Sequence, residues 1–349
     1  MSNTALPLLN SNQHLKWYWL SGLLLLGLAW LSLSSGPVGW DWKMPIAWVL
    51  PDTMTMDINE LQMSVVSQIR LPRLLLAILV GSVLACSGAA TQALCRNPLA
   101  DPSLMGVTGG AAVAAIAVIA LAPKVSFINE AMVAPAAFVG ALTITSVIYR
   151  LANHQGQVQI TTLLLAGVAI NAIAMAIIGL FSFFADDSSL RLMTYWQMGS
   201  LGGASWSAMI YGAPLIIIST IMLILKKRQI NALMLGERDA RHLGVNVKRL
   251  KTEVVFLVAL GVGGAVAMAG MIGFVGLVVP HIARLLVGPD LRKMLPLSML
   301  LGCLLMLLAD WIARLIVAPS ELPIGIVTAL FGAPFFIYQL VKQKRGNHA

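Results

Sequence analysis

Charge is scarce in this sequence: Asp, Glu, Lys and Arg make up 11% of 349 residues, against about a quarter in a globular domain. That scarcity excludes an ordinary soluble domain. With 58% hydrophobic residues and a mean hydropathy of +0.86, it indicates a polytopic membrane protein. Cysteine is nearly absent. Cys86, Cys95 and Cys303 each lie within or at the edge of an apolar run, which leaves no disulfide framework and no CxxC metal spacing. No GxxxxGK phosphate loop, HExxH or GxSxG string occurs, so the familiar ATPase, metalloprotease and hydrolase sites are excluded. Asp310 is the one acid clearly inside an apolar run, and an ion-coupled carrier needs more ionisable groups at the bilayer midplane. The N-terminus, MSNTALPLLNSNQHLKWYW, has neither a basic n-region nor a small-residue cleavage site, so the first apolar run reads as a retained span.

What is present is a series of ten apolar runs, at about 17–35, 72–92, 103–122, 132–150, 160–184, 206–225, 252–270, 273–289, 295–317 and 323–341. Each is long enough to cross a core of about 30 Å as a helix. The seventh and eighth almost merge at AMAGMIGFVG. The expected fold is all-α, a single transmembrane unit over 1–349 with no soluble domain attached. With the N-terminus inside, 17 of the 23 Lys and Arg fall on the cytoplasmic side. The positive-inside rule therefore places both termini in the cytoplasm, with tails at 1–16 and 342–349. The net charge of +9 reflects this topology and not a nucleic-acid partner. The same orientation puts the long polar segment 226–251, KKRQINALMLGERDARHLGVNVKRLK, in the cytoplasm. It is too short for a catalytic domain and suits one or two short helices that touch a partner. Small residues crowd the spans, as in SGAA at 87–90 and GVTGGAAVAA at 106–115, a pattern of close helix packing.

Few residues offer chemistry. Asp310 and Arg314 stand one helical turn apart and read as a structural ion pair at the outer end of a span. Arg70, Arg73 and Arg314 fall on the outer side. They read either as snorkelling side chains or as a dock for an acidic partner, since arginine pairs with carboxylates as a fork. Arg191 lies in an outer connection with Asp186, Asp187 and Trp196. Arg191 and Trp196 are candidates for contact with an acidic, planar ligand on the pathway, although aromatics at this depth also mark the lipid interface. All five histidines fall on the cytoplasmic side, so no metal site is expected to meet an incoming ligand.

Several strings together resemble the FecCD-type permeases, the membrane subunits of ATP-binding-cassette importers for ferric siderophores, heme and cobalamin. They are RLPR (70–73), ALCRNPLADPSLMGVTGGA (93–111), MGSLGG (198–203), LGERDARHLGV (235–245), IGFVGLVVPHIARLLVGPD (272–290) and ELPIGIVTALFGAPFF (321–336). The resemblance runs in order from about residue 60 to the C-terminus. It implies the type II importer permease fold in a bacterial inner membrane, as a homodimer with the pathway on its axis. It further implies two cytoplasmic ATPase subunits, which carry the ATP, and a periplasmic binding protein docked above. Arg70, Arg73 and Arg314 match the family arginines that meet glutamates of the binding protein. Gly236, Glu237, Ala240, Leu243 and Gly244 match the segment that seats in the ATPase. No cofactor is expected on this chain.

The cargo is heme or a related iron chelate by this resemblance, because LRLMTYWQMGSLGGASW and APSELPIGIVTALFGAPFF are most similar to the heme-importing branch. Ferric siderophore and then cobalamin are the alternatives. An ion-coupled secondary transporter is the alternative of a different class.

Overall fold

Backbone amides in hydrocarbon find no water, so an apolar run of about 20 residues satisfies them internally as a helix. This rule builds almost all of the molecule. The structure, a computed structural model, describes residues 11–36, 39–40, 42–49, 60–154 and 157–346. Helix α1 (Ser11–Ser34) leads through the antiparallel pair β1 (Ser35–Gly36) and β2 (Gly39–Trp40) to α2 (Met44–Val49) and α3 (Glu60–Val65). A π-turn at Val66–Arg70 carries the chain into α4 (Leu71–Cys95). Next come α5 (Val107–Leu121) and α6 (Val133–Ala152). The hairpin of β3 (Asn153–His154) and β4 (Gln157–Val158) then leads to α7 (Ile160–Phe183). The short α8 (Asp187–Met198) precedes α9 (Trp206–Leu225). Two short helices follow, α10 (Lys227–Leu233) and α11 (Glu237–His242), then α12 (Val247–Ala269), α13 (Val275–Val287), α14 (Leu291–Leu315) and α15 (Ile324–Gly346).

Seven described helical stretches are long and apolar enough to cross a membrane, and three shorter apolar helices lie at Val107–Leu121, Val275–Val287 and Ile324–Tyr338. Each falls on one of the apolar runs of the sequence. Helix runs into both segments expected as tails. Helix α1 already starts at Ser11 and α15 continues to Gly346, because neither flank contains a helix-breaking residue before those points. Residues 1–10 and 347–349 of the expected tails lie outside the described residues.

Helix α4 is the centre. Within Leu61–Cys95, 83% of the apolar 18-residue core segment is buried, whereas the corresponding segments of α6 and α7 are 22% buried and these helices turn apolar side chains such as Val139, Ile173, Met175 and Leu180 outward. Burying a helix on all sides requires neighbours that approach closely, and small residues permit that. A Cβ at Gly81 would collide with the carbonyl of Gly302 on α14, and one at Gly88 with the carbonyl of Gly276 on α13. Gly110 of α5 and Gly140 of α6 meet in the same way. These crossings leave backbone against backbone, so a single added methyl at Gly81 or Gly88 separates two helices.

Two interruptions place backbone polar groups inside the bundle. After Arg96, at φ 48°, the chain forms a short 3-10 turn at Pro102–Met105. There the Asp101 carboxylate accepts from the Ser103 amide at 2.8 Å, and the Asn171 amide of α7 donates to the Ser103 carbonyl at 2.9 Å. The second interruption, Gly270–Phe274, separates α12 from α13 and resolves the merged stretch AMAGMIGFVG into two helices. Gln92 of α4 ties to the helix that follows this junction, donating to the Leu277 carbonyl at 3.3 Å while accepting from Arg284 at 2.8 Å, both on α13. Backbone of this kind is tolerated at membrane depth only where protein or a water-filled cavity surrounds it.

Candidate functional site

The candidate residues gather at the two ends of α4. At its N-terminal end, Arg73 donates from Nε to Asp310 Oδ1 at 2.8 Å and from Nη1 to Glu321 Oε1 at 2.7 Å. Arg314 lies 3.1 Å from Asp310 Oδ2 and donates to Ser32 Oγ at 2.8 Å and the Ser35 carbonyl at 3.2 Å. Arg70 donates to the Leu33 carbonyl at 2.6 Å and sits 3.4 Å from Met44 Sδ. One carboxylate thus serves two guanidiniums, and the last turn of α1 receives two cations. Helix C-termini favour this, because their last carbonyls lack intrahelical partners and carry partial negative charge.

Arg70, Arg73 and Arg314, the candidate dock for an outside partner, are only 4%, 7% and 4% exposed. The reason is the α1 terminus and the acid pair, which together satisfy guanidiniums that would otherwise reach for solvent. Glu321, between α14 and α15, is the exposed member, with 36% of its side chain accessible.

At the other end of α4, Arg96 and Cys95 line a cleft with Leu233, Glu237 and Lys251. The segment expected to contact a partner forms α10 and α11. Gly236 starts α11 at φ 120°, and Gly244 ends it at φ 81°, both in the region that favours glycine. The Val245 amide donates to the Ala240 carbonyl at 3.0 Å and the Gly244 amide to the Arg241 carbonyl at 2.9 Å, a Schellman closure. Ala240 is fully buried and fixes the helix to the body, whereas Leu235 and Leu243, just before and after it, are 65% and 63% exposed. Burial pushes the Glu237 carboxyl up. The Lys251 ammonium it accepts from, with Arg241 and Arg96, more than offsets this and holds it below the usual carboxylate range. Glu237 lies 2.5 Å from Lys251 Nζ and 3.5 Å from Arg241.

Arg191 and Trp196 are not brought together. Five residues apart on α8, they point to different sides of the helix at 100° per residue. Trp196 packs into the core beside Met271, while Arg191 lines an open cleft of about 430 Å³ with Asp187, Leu190, Thr194, Tyr195 and Met198. Tyr195, one turn from Arg191, is the aromatic that shares its face.

Sequence reasoning missed Glu321, Tyr195 and Lys251 as site residues. Glu321 stands at the head of a quoted motif, and Lys251 is a charge just inside an apolar helix, so both left a signal. The α1 carbonyls left none.

Three comparisons bear on this arrangement. The sequence profile of the FecCD transport family matches residues 23–342. The hemin transport system permease protein HmuU of Yersinia pestis is 41% identical over 327 residues, 93% of this chain and 95% of that protein. The cobalamin import system permease protein BtuC of Halobacterium salinarum is 42% identical over 308 residues, 88% of this chain and 80% of that one. Among solved structures, an ABC transporter in an inward-facing conformation covers 94% of this chain and 99% of its own, with a TM-score of 0.81 at 30% identity.

Proposed function

Since the chain belongs to the FecCD transport family, a permease subunit of ABC importers and not an enzyme, we propose that it carries heme or a related iron chelate into the cytoplasm. It works as a homodimer driven by two ATPase subunits. The observation that carries the mechanism is α11, a six-residue helix closed at both ends by positive-φ glycines and flanked by exposed Leu235 and Leu243. A rigid, apolar-flanked projection is what a motor subunit needs to press on. Gly236, Glu237, Leu243 and Gly244 form this contact, with Ala240 anchoring the helix from beneath, and the Arg96 end of α4 is the cytoplasmic end. The ATP is held by the partner.

At the other end, Arg70, Arg73, Arg314, Asp310 and Glu321 make a cluster of three cations and two anions. We assign it to docking of a soluble binding protein through that protein's carboxylates, with Glu321 exchanging places with the incoming acid. Alternating access then follows from tilting of near-rigid helices on either side of the pathway.

Heme as cargo rests on similarity to the hemin permease along nearly the whole chain, together with a cation and an aromatic, Arg191 and Tyr195, on the exposed face of α8. A cobalamin cargo is the second reading, supported by BtuC relatives of equal identity. Proteoliposomes containing the complete importer, offered heme, cobalamin and a ferric siderophore separately, test the assignment. ATP-dependent heme accumulation supports it, and cobalamin accumulation alone overturns the cargo.

A further inference from the structure

Lys251 lies one turn into α12, and its side chain is only 7% exposed. A buried ammonium needs partners on hand. Its two are on different elements: Glu237 Oε1 of α11 at 2.5 Å, and the Val158 carbonyl of β4 at 3.0 Å. Val158 is itself buried and pairs with Asn153 across the hairpin, while the Gln159 amide donates to the Ala152 carbonyl at 2.9 Å. The next residue, Ile160, begins α7.

Open space surrounds this bridge. One cleft of about 540 Å³ has hairpin residues Gln157 and Val158 on one wall and Arg241 and Gly244 on another. A second, of about 370 Å³, is bounded by Arg96, Ile160 and Leu233. Glu237 and Lys251 line both clefts. Close packing would transmit a push through many contacts. Here α11 and the hairpin face each other across a gap, and the ammonium spans it.

We infer that Lys251 is the positioning residue that makes the β3–β4 hairpin, and with it the start of α7, follow a displacement of α11. The inference rests on the reading of α11 as the ATPase contact. If α11 shifts, Glu237 draws the ammonium, and the hairpin carbonyl follows because an unpartnered buried charge is the costlier state. The stem of Lys251 is anchored in α12, whose neighbouring Leu250, Val254 and Val255 are buried in the core. The bridge therefore turns about a fixed point.

The test uses the complete importer in proteoliposomes, with Cys95 replaced by serine. A spin label at Arg238→Cys reports the distance between the two copies of α11, and one at Gln157→Cys reports the hairpin. In otherwise unaltered protein ATP should change both distances. In Lys251→Met the Arg238 distance should still respond, the Gln157 distance should not, and uptake per ATP hydrolysed should fall about tenfold, within the range of ordinary coupling. Glu237→Gln, which breaks the same bridge from its other side, should also silence the hairpin, and Lys251→Arg should restore its response. A hairpin that responds normally in Lys251→Met, or an unchanged ratio of uptake to hydrolysis, overturns the inference. An Arg238 distance that ignores ATP in the unaltered importer removes the α11 reading, and this inference with it.

Discussion

Arg73 and Glu321 are joined by a 2.7 Å ion pair between the start of α4 and the connection from α14 to α15. The arginine assigned to an acidic partner is therefore already occupied by an acid of its own chain. Glu321→Gln should raise the affinity for the binding protein by up to about fivefold, the worth of a partly exposed pair of ~1 kcal/mol. The gain should shrink with added salt. Equal affinity in a titration at low ionic strength would show that the pair does not compete with docking.

Asp310 holds two guanidiniums at once. Asp310→Asn leaves both buried without their shared counter-charge and should destabilise the protein by about 3–5 kcal/mol. Thermal unfolding in detergent reads this directly. An unshifted midpoint would mean that the α1 carbonyls alone satisfy Arg314.

Gly244 has no atom near the position of a Cβ, so a substitution there meets backbone strain and not a clash. Gly244→Val at φ 81° should cost about 1–3 kcal/mol locally. It should uncouple hydrolysis from uptake while membrane insertion stays intact. Normal uptake in this variant would count against the assignment of α11.

The Glu237 carboxyl is held below its ordinary value of 4.5, so the folded state binds its proton less readily than the unfolded one. Its contribution is complete above about pH 4.5 and is lost as pH falls through the depressed value. Hydrogen exchange of 236–245 should therefore be unchanged between pH 7 and 5, after correction for intrinsic rates, and quicken below. Glu237→Gln should abolish that dependence.

Arg191→Ala should slow heme uptake more than siderophore uptake, and Tyr195→Ala should act in the same direction because the two share a face. Equal effects on both cargoes would remove the local argument for heme.

The helices were legible because apolar runs of bilayer length have one satisfactory backbone conformation. The turn glycines Gly236 and Gly244 were legible only through the resemblance carried by LGERDARHLGV. The state of the arginines was not. Arg70 and Arg314 are buried by carbonyls of Ser32, Leu33 and Ser35, and a backbone carbonyl has no letter in a sequence. The split between Arg191 and Trp196 was available from helical periodicity, but only once the segment was known to be a helix rather than a loop.

The glycine crossings of α4 divide the molecule mechanically. At Gly81–Gly302 and Gly88–Gly276 backbone meets backbone directly, so α4, α13 and α14 behave as one stiff body. Helices α6 and α7 owe far less of their surface to protein neighbours and form the compliant side. Bilayer thickness therefore acts on this compliant side first. A lipid that is too thin or too thick should alter the tilt of α6 and α7, and with it transport rate, before it disturbs the stiff body.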